Sequence, residues 1–250
     1  MFLLQNLQLE YEPFPIGIAS PVFEDSLYRE LLNTYPPVEI FRHVPQYGEK
    51  YSLSEKNNRP VYEQYVSRYP AWREFRRYVK SRDFVFSIID ALRQRGIDLR
   101  LTRKNQSLGR RWLKLLGNVA QGRMPVTDPP IYSRFEFSML PANGGIVTPH
   151  TDAPRKFITL VVAMVGEDEW KDEYGGGTEM LKPRDIAKSY NYYNRSLPYD
   201  ECETLKAFPF KPNQAVFFVK TFNSLHGVRE LRGPAGTWRR TLTINIERGY

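Results

Sequence analysis

The stretch Tyr132-Ser-Arg-Phe-Glu-Phe-Ser-Met139 marks the point where the sequence changes from a helical to a strand period. Successive side chains of a strand point to opposite faces of a sheet, so every second residue shares a face. One face then carries polar and charged residues, and the other carries Phe135, Phe137 and Met139. Later segments with strand character are residues 157–164, 178–181, 215–219 and 239–247. Glycine, proline and asparagine separate them, which favours an antiparallel barrel or sandwich.

The residues before this stretch follow a helical period instead. Four apolar residues recur at four-residue intervals before Pro36-Pro37 ends the pattern: Phe23, Leu27, Leu31 and Tyr35. Further helical patterns cover residues 61–79 with a break at Pro70, residues 84–92 and residues 108–116. We therefore expect a mainly β, α+β fold in one domain over residues 1–250. Residues 1–130 would form a mostly helical support region, and residues 131–250 would form the β core.

The composition is that of an ordinary globular protein. The chain has 250 residues, of which 41% are hydrophobic and 26% are charged, and this length suits one large domain. No apolar run reaches the roughly 18 residues that a membrane-spanning helix needs, and the first residues lack a secretory signal pattern. A single cysteine, Cys202, excludes an internal disulfide and fits a reducing compartment. We therefore expect a cytoplasmic protein without a transmembrane segment, and no pattern indicates its oligomeric state.

The formal net charge is +8, and the excess of cations is concentrated in residues 93–123, here called the basic segment. Only one acidic residue, Asp98, accompanies nine basic ones: Arg93, Arg95, Arg100, Arg103, Lys104, Arg110, Arg111, Lys114 and Arg123. Such a segment attracts nucleic acid, an anionic membrane surface or a phosphorylated substrate, and it is also typical of a solvated helical face. Nucleic acid is the weaker alternative, because neither zinc-finger spacing nor aromatic-interleaved strands accompany the charge.

A candidate metal site begins at His150-Thr-Asp152. On an extended strand, residues i and i+2 point to the same face, so both side chains can reach one ion. A third ligand, His226, follows the strand candidate at residues 215–219. Two histidines and one carboxylate leave open positions on an octahedral metal, and non-haem Fe(II) oxygenases use this set. An isolated H-x-D triplet also occurs in solvated loops, so the flanking sequence decides its meaning.

The flanking sequence resembles a known family. The motifs Thr148-Pro-His-Thr-Asp152, Tyr174-Gly-Gly-Gly-Thr178, Asn223-Ser-Leu-His-Gly-Val228 and Arg239-Arg-Thr-Leu-Thr-Ile244 are similar to those of 2-oxoglutarate oxygenases, in particular the prolyl 4-hydroxylase-like branch. The resemblance covers roughly residues 132–247. It implies a double-stranded β-helix core of the jelly-roll or cupin type with N-terminal support helices. It also implies Fe(II) on His150, Asp152 and His226, with 2-oxoglutarate and O2 as cosubstrates and ascorbate as a candidate reductant.

The resemblance further implies an arginine that binds the far carboxylate of 2-oxoglutarate. The family's R-x-S or R-x-T pattern aligns with Arg239 and Thr241. Strand alternation places Arg239, Thr241 and Asn245 on one face and Arg240 on the other, which favours Arg239. A planar guanidinium binds a carboxylate with two parallel hydrogen bonds and keeps its charge. Arg240 stays open as the alternative, and so does the reading of both as ordinary strand cations.

Other candidate contacts are less specific. Thr159 would face inward on the strand after the H-x-D motif, where it touches the cosubstrate or packs in the core. Animal prolyl hydroxylases carry a tyrosine ten residues before the first histidine, and this chain has Leu140 there. Tyr132 or Arg134 would then replace that cosubstrate contact. Asn223 would orient a metal ligand or cap a turn. Candidates for substrate binding or for support of the ligands are therefore Arg134, Asn223 and Arg240.

The reaction expected from the resemblance is hydroxylation of an unactivated C–H bond, with release of succinate and CO2, and desaturation and ring formation stay open as alternatives. Related halogenases lack the carboxylate that Asp152 provides, so the presence of Asp152 favours hydroxylation over halogenation. We expect a small-molecule or carbohydrate-like substrate, anionic in view of the basic segment. The alternatives are a nucleic-acid or protein-modifying oxygenase and a non-catalytic β-helix binding protein. Nucleic-acid demethylases carry an R-x-N-x-T-x-R strand, from which this chain departs at Thr241 and Asn245.

Overall fold

The computed structural model describes residues 1–103, 108–121 and 130–249. The helices are α1 (Asp25–Asn33), α2 (Arg59–Arg68), α3 (Pro70–Val79), α4 (Arg82–Arg93) and α5 (Leu108–Ala120). The first six strands are β1 (Leu7–Glu10), β2 (Ile16–Ala19), β3 (Arg42–Val44), β4 (Lys50–Ser54), β5 (Ile131–Pro141) and β6 (Val147–His150). The other six are β7 (Lys156–Ala163), β8 (Thr178–Pro183), β9 (Cys202–Phe208), β10 (Ala215–Val219), β11 (His226–Val228) and β12 (Trp238–Arg248).

The strands form two antiparallel sheets within the described residues. The large sheet has eight strands in the order β1-β2-β10-β7-β12-β5-β4-β3, and the small sheet has four in the order β6-β11-β8-β9. From β5 onward the chain passes repeatedly from one sheet to the other. The mainly β, α+β fold with antiparallel sheets that the sequence predicts is therefore confirmed.

The first half of the chain is less purely helical than its apolar period suggests. Pro70 begins α3 directly after α2, so it divides the two helices as expected. However, β1 to β4 come from this half and occupy both edges of the large sheet. These strands are only three to five residues long, and they form by pairing with the distant strands β10 and β5. A local hydrophobic period carries no signal for such pairing.

The large sheet separates a dry core from a polar pocket. Phe135, Phe137, Leu242 and Ile244 are fully buried against the helices, where Trp72 packs edge-on against Phe137 at a centroid distance of 4.6 Å. The opposite face of the same strands turns toward the small sheet, where a smaller apolar cluster includes Ile16, Met180 and Phe218. The alternation predicted for residues 132–139 thus separates the helix-facing core from the face between the sheets.

Helix α5 differs from the other helices because several of its large apolar side chains are exposed. Exposed fractions are 62% for Trp112, 70% for Leu113 and 60% for Leu116. Within the described residues, no helix is long and apolar enough to cross a membrane.

Candidate metal centre

Two histidines and one aspartate converge between the sheets. His150 is the last residue of β6, His226 is the first residue of β11, and the two are direct partners across this antiparallel pair. Their ring centroids lie 4.5 Å apart. One donor atom from each of His150, Asp152 and His226 lies within 4.8 Å of the other two. The structure therefore brings together the three residues of the sequence motif at a spacing suited to one ion.

Asp152 reaches this point through a backbone turn. Strand β6 ends at His150, and Asp152 has a φ of 68°, in the left-handed region that non-glycine residues rarely occupy. The expectation that His150 and Asp152 share a strand face is therefore wrong, although the two side chains do meet. Strained backbone of this kind persists only where surrounding contacts hold it.

The two imidazoles are oriented by their own main chain. Nδ1 of His150 lies 2.9 Å from the carbonyl oxygen of Thr148, and Nδ1 of His226 lies 2.9 Å from that of Ser224. A carbonyl accepts only, so each Nδ1 carries the proton and donates it. Each Nε2 then keeps its lone pair for a ligand. Histidines that bind metals are commonly fixed in this way.

The carboxylate of Asp152 is held by two neighbouring side chains. Thr159 Oγ1 donates a hydrogen bond to Oδ2 at 2.7 Å, and Lys156 Nζ donates to Oδ1 at 2.5 Å. Thr159, a candidate cosubstrate contact, therefore touches a ligand of the candidate metal site. Sequence reasoning missed Lys156, and its spacing of four residues from Asp152 was the only available signal.

The protonation states of these side chains suit a divalent cation. Burial lowers the pKa of His226 to about 3 and also lowers the pKa of His150. Burial would raise the pKa of Asp152, but Lys156 and the two histidines outweigh it and hold that pKa well below its usual range. At neutral pH the site therefore offers two neutral imidazoles and one carboxylate, the forms in which these groups bind metals.

Arg239 lies in the same pocket without an acidic partner among the described residues. Its side chain is 4% exposed, its Nε donates to the carbonyl oxygen of Gly176 at 2.7 Å, and its guanidinium lies 4.4 Å from the ring centroid of Phe210. Burial lowers the pKa of Arg239 to about 9. A buried cation that lacks a counter-ion is costly, so the arrangement fits an anionic ligand.

Gly176 makes this placement of Arg239 possible. Its φ is 89°, and a Cβ atom there would lie 3.1 Å from the Trp170 ring and 3.2 Å from Cδ of Arg239. The neighbouring Gly175 accepts a hydrogen bond from Trp170 Nε1 at 2.9 Å. The glycine run therefore allows the main chain to approach the arginine closely.

Arg240 lies on the opposite face of β12. It pairs with Glu169, and its guanidinium lies 5.7 Å from the ring centroid of Tyr35, away from the pocket. Thr241 is buried and lines the pocket beside Arg239, and its hydroxyl lies 3.3 Å from the carbonyl oxygen of Ser138. Strand alternation thus separates the two adjacent arginines.

Two candidate contacts lie elsewhere. Tyr132 is half-buried opposite Glu247 on β12 and is not among the residues that line the pocket. Asn223 donates from its amide to the carbonyl oxygen of Pro13 at 2.9 Å and accepts from Thr221 Oγ1 at 2.8 Å, which braces a turn. Arg134, in contrast, lines the pocket and pairs with the buried Glu247.

The pocket between the sheets has a volume of about 430 Å³, within the range of small-molecule sites. Strands β4, β5, β7 and β12 line one side, and β6, β8 and β11 line the other. Phe218 packs against His226 at a centroid distance of 4.1 Å and forms part of the apolar wall. The candidate metal ligands, Arg239 and Arg134 therefore share one cavity.

The described part of the basic segment lies outside this pocket. Arg95 donates to the carbonyl oxygens of Leu4 and Leu7, and Arg103 pairs with Asp83 at 2.8 Å, so these cations support the fold. Two of its cations, Lys104 and Arg123, lie outside the described residues, as do the side chains of Arg110 and Arg111. An anionic substrate must therefore be argued from cations of the pocket itself.

No family model and no curated protein sequence matches the chain. Solved structures do match. A prolyl-4-hydroxylase from Pseudomonas putida is 15% identical with a TM-score of 0.41, covering 94% of this chain and 92% of its own. HygX from Streptomyces hygroscopicus, solved with nickel and 2-oxoglutarate bound, is 10% identical with a TM-score of 0.43, covering 94% and 83%.

A third match is SnoN, a non-haem α-ketoglutarate-dependent epimerase from nogalamycin biosynthesis. It is 12% identical with a TM-score of 0.47, covering 98% of this chain and 82% of its own. These structural neighbours are thus prolyl 4-hydroxylase-like and 2-oxoglutarate-dependent proteins.

Proposed function

We propose that the chain is an Fe(II)- and 2-oxoglutarate-dependent oxygenase that hydroxylates a C–H bond of a carbohydrate-like, anionic small molecule. One observation carries the proposal. Two neutral imidazoles and one carboxylate converge in the same pocket as Arg239, a buried cation without an acidic partner among the described residues. The imidazoles and the carboxylate suit Fe(II), and Arg239 suits one carboxylate of a dicarboxylic acid.

The donor set fits Fe(II). His150, Asp152 and His226 would hold the ion through Nε2, a carboxylate oxygen and Nε2, which leaves the other positions open. Bound Fe(II), with 2-oxoglutarate and O2, supplies the oxidation of a C–H bond, and ascorbate would serve as a reductant. The protein orients the imidazoles through Thr148 and Ser224 and fixes the carboxylate through Thr159.

Arg239 would bind the far carboxylate of 2-oxoglutarate, with Thr241 as a neighbouring hydroxyl. Its Nε is occupied by Gly176, so the remaining guanidinium donors are the ones offered to the ligand. Binding a carboxylate would neutralise a charge that burial disfavours, as the lowered pKa of about 9 indicates. Leu140, at the tyrosine position of animal prolyl hydroxylases, lines the pocket and offers no hydrogen bond there.

We assign the core as a double-stranded β-helix within one oxygenase domain. The support is the alternation of strands: β5, β7, β10 and β12 belong to the large sheet, and β6, β8, β9 and β11 belong to the small sheet. Such alternation arises when a chain winds as a paired ribbon between two facing sheets. The single cysteine, Cys202, is buried and free, which supports a reducing, cytoplasmic setting.

A carbohydrate-like substrate is supported by the loop at residues 189–197. Asn194 and Ser196 line the pocket and offer an amide and a hydroxyl. The loop is fixed beside β6, because Leu197 N donates to the carbonyl oxygen of Pro149 at 2.9 Å. The amide and the hydroxyl both donate and accept hydrogen bonds, which suits the hydroxyl groups of a sugar.

The test is anaerobic addition of Fe(II) and 2-oxoglutarate to the full chain. The bound pair is expected to give a weak visible charge-transfer band, and Asp152→Ala should lack it. Correctly folded wild-type protein without the band would overturn the proposal. A succinate-release screen over amino acids, sugars, nucleotide sugars, peptides and methylated oligonucleotides then tests the substrate class, and stimulation by oligonucleotides or peptides alone would favour the alternatives.

A further inference from the structure

We propose that the pocket has an oxyanion site, formed by Arg134, Lys50 and Lys56, for a carboxylate or phosphate group of the substrate. The inference rests on the proposed function, because its ligand is the substrate of the same pocket. It concerns a different part of that pocket from the part occupied by Arg239.

The strand register places Arg134 beside the candidate metal centre and far from Arg239. Arg134 pairs with Asn245 across β5 and β12, and Asn245 pairs with Thr159 across β12 and β7. Thr159 contacts Asp152, so Arg134 lies two strands away from the ligand support, about 10 Å between Cα atoms. Arg239 is six residues along β12 from Asn245, about 20 Å. The two arginines can therefore bind different molecules at once.

Cations outnumber carboxylates in this part of the pocket. Two carboxylates, Glu136 and Glu247, are shared by four cationic side chains: Lys50, Lys56, Arg134 and Arg155. The side chain of Glu247 is 0% exposed and forms ion pairs with three of these four cations. Lys50 lies 2.5 Å from Glu136. Among the described residues, the three cations of the proposed site therefore exceed these two carboxylates by one charge, which a bound anion would offset.

The guanidinium of Arg134 has an unused donor. Its side chain is 8% exposed, and Nε donates to Glu247. Nη1 is buried and has no hydrogen-bond partner among the described residues, since its ion pair with Glu136 Oε2 spans 3.9 Å. Buried donors are normally satisfied, and guanidinium groups bind planar or tetrahedral oxyanions well. A small rearrangement would let Nη1 donate to an anion.

The two lysines supply charge at the accessible side of the pocket. Lys50 and Lys56 line the cavity, and their side chains are 27% and 40% exposed. Ser52 and Asn57 lie beside them in the lining, joined by a hydrogen bond of 2.9 Å. A buried guanidinium beside two partly exposed ammonium groups is a suitable arrangement for binding an anion.

The experiment titrates inorganic phosphate and acetate into the metal-free full chain by calorimetry at constant ionic strength. Arg134→Gln is expected to weaken binding of the preferred anion about tenfold or more, because a charge-assisted hydrogen bond is lost. Lys50→Gln should weaken it less, and Arg239→Gln should leave this binding event in place. Tighter phosphate binding indicates a phosphate monoester substrate, and tighter acetate binding indicates a carboxylate.

Two controls keep the test decisive. Lys182→Gln removes an exposed lysine that pairs with Glu203 outside the pocket, and it should bind anions like the wild type. If Arg134→Gln is unstable, Lys50→Gln and a Lys50→Gln/Lys56→Gln double variant carry the test. Unchanged affinity in the pocket variants, or loss of all binding in Arg239→Gln, overturns the proposal. The metal-free format separates this failure from failure of the oxygenase assignment, which the charge-transfer band reports.

Discussion

Strands β5 and β12 form one antiparallel pair whose two faces differ in chemistry: one face is apolar and the other is polar and charged. Toward the helices the pair presents Phe135, Phe137, Leu242 and Ile244, all fully buried. Toward the small sheet it presents buried polar groups: Arg134, Glu136, Arg239, Thr241 and Asn245. The apolar face stabilises the fold, whereas the polar face holds charges in an environment that disfavours them. Substitutions on the two faces should therefore have separable effects on stability and on ligand binding.

The largest effect is expected where the polar face supports the metal centre. Asp152→Ala removes the only carboxylate of the candidate ligand set and should abolish measurable binding of Fe(II). Anaerobic calorimetry with Fe(II) measures this, and circular dichroism checks the fold. Asp168→Ala, at an exposed position, is the control and should bind as the wild type does. Retained Fe(II) affinity in Asp152→Ala would show that these residues are not the metal site.

The apolar face should respond in stability alone. Phe137→Ala leaves a cavity next to Trp72 and Phe135, and the free energy of unfolding should fall by about 3–5 kcal/mol. Denaturant titration measures the loss. The fraction that remains folded should bind Fe(II) with wild-type affinity. A parallel loss of Fe(II) affinity per folded molecule would mean that the two faces are coupled.

Adjacent arginines on β12 give a matched pair for the comparison. Arg239→Gln should raise the half-saturating concentration of 2-oxoglutarate about 10- to 100-fold, because a charge-assisted bidentate contact is lost. Its free energy of unfolding should not fall, since a buried and unpaired cation is removed. Arg240→Gln, which breaks a pair with Glu169 outside the pocket, should leave that concentration almost unchanged. If Arg240→Gln raised that concentration and Arg239→Gln did not, Arg240 rather than Arg239 would face the pocket.

Support of the carboxylate should matter less than the carboxylate itself. Thr159→Val keeps a β-branched side chain on β7 but removes the hydroxyl that donates to Asp152. We expect Fe(II) affinity to fall about tenfold, the lower end of the range for such supporting contacts. Competition with a coloured chelator measures it. An unchanged affinity would assign Thr159 to packing only.

The smallest effect concerns pH. In the metal-free protein His226 has a pKa lowered to about 3, whereas in the unfolded chain it takes up a proton near its ordinary value of about 6.5. The unfolded state therefore binds more protons below pH 6.5, and the free energy of unfolding falls as pH decreases toward 3. Between pH 7 and 6 this contribution is below about 1 kcal/mol. Comparison of wild type with His226→Gln by denaturant titration should show a shallower decline in the variant, and equal slopes would contradict the burial argument.

Sequence reasoning captured the features that depend on local period. Alternation along β12 separated Arg239 from Arg240, and alternation along β5 separated Phe137 from Arg134. It missed β1 to β4, since short edge strands are created by pairing with distant segments. It also misplaced Tyr132, because a face shared along a strand does not say how far the pocket extends. The left-handed turn at Asp152 has no signature in spacing, and the four-residue spacing of Lys156 from Asp152 does not by itself predict contact outside a helix.

The close approach at Gly176 has a consequence for mutational tolerance. A methyl group at this position would press on both Trp170 and Arg239, and the positive φ would disfavour any side chain. Arg239 and Gly176 lie 63 positions apart in the chain. Even so, the position of the Arg239 side chain leaves room only for glycine at position 176. Among related sequences, Gly176 should therefore be one of the positions that tolerate substitution least.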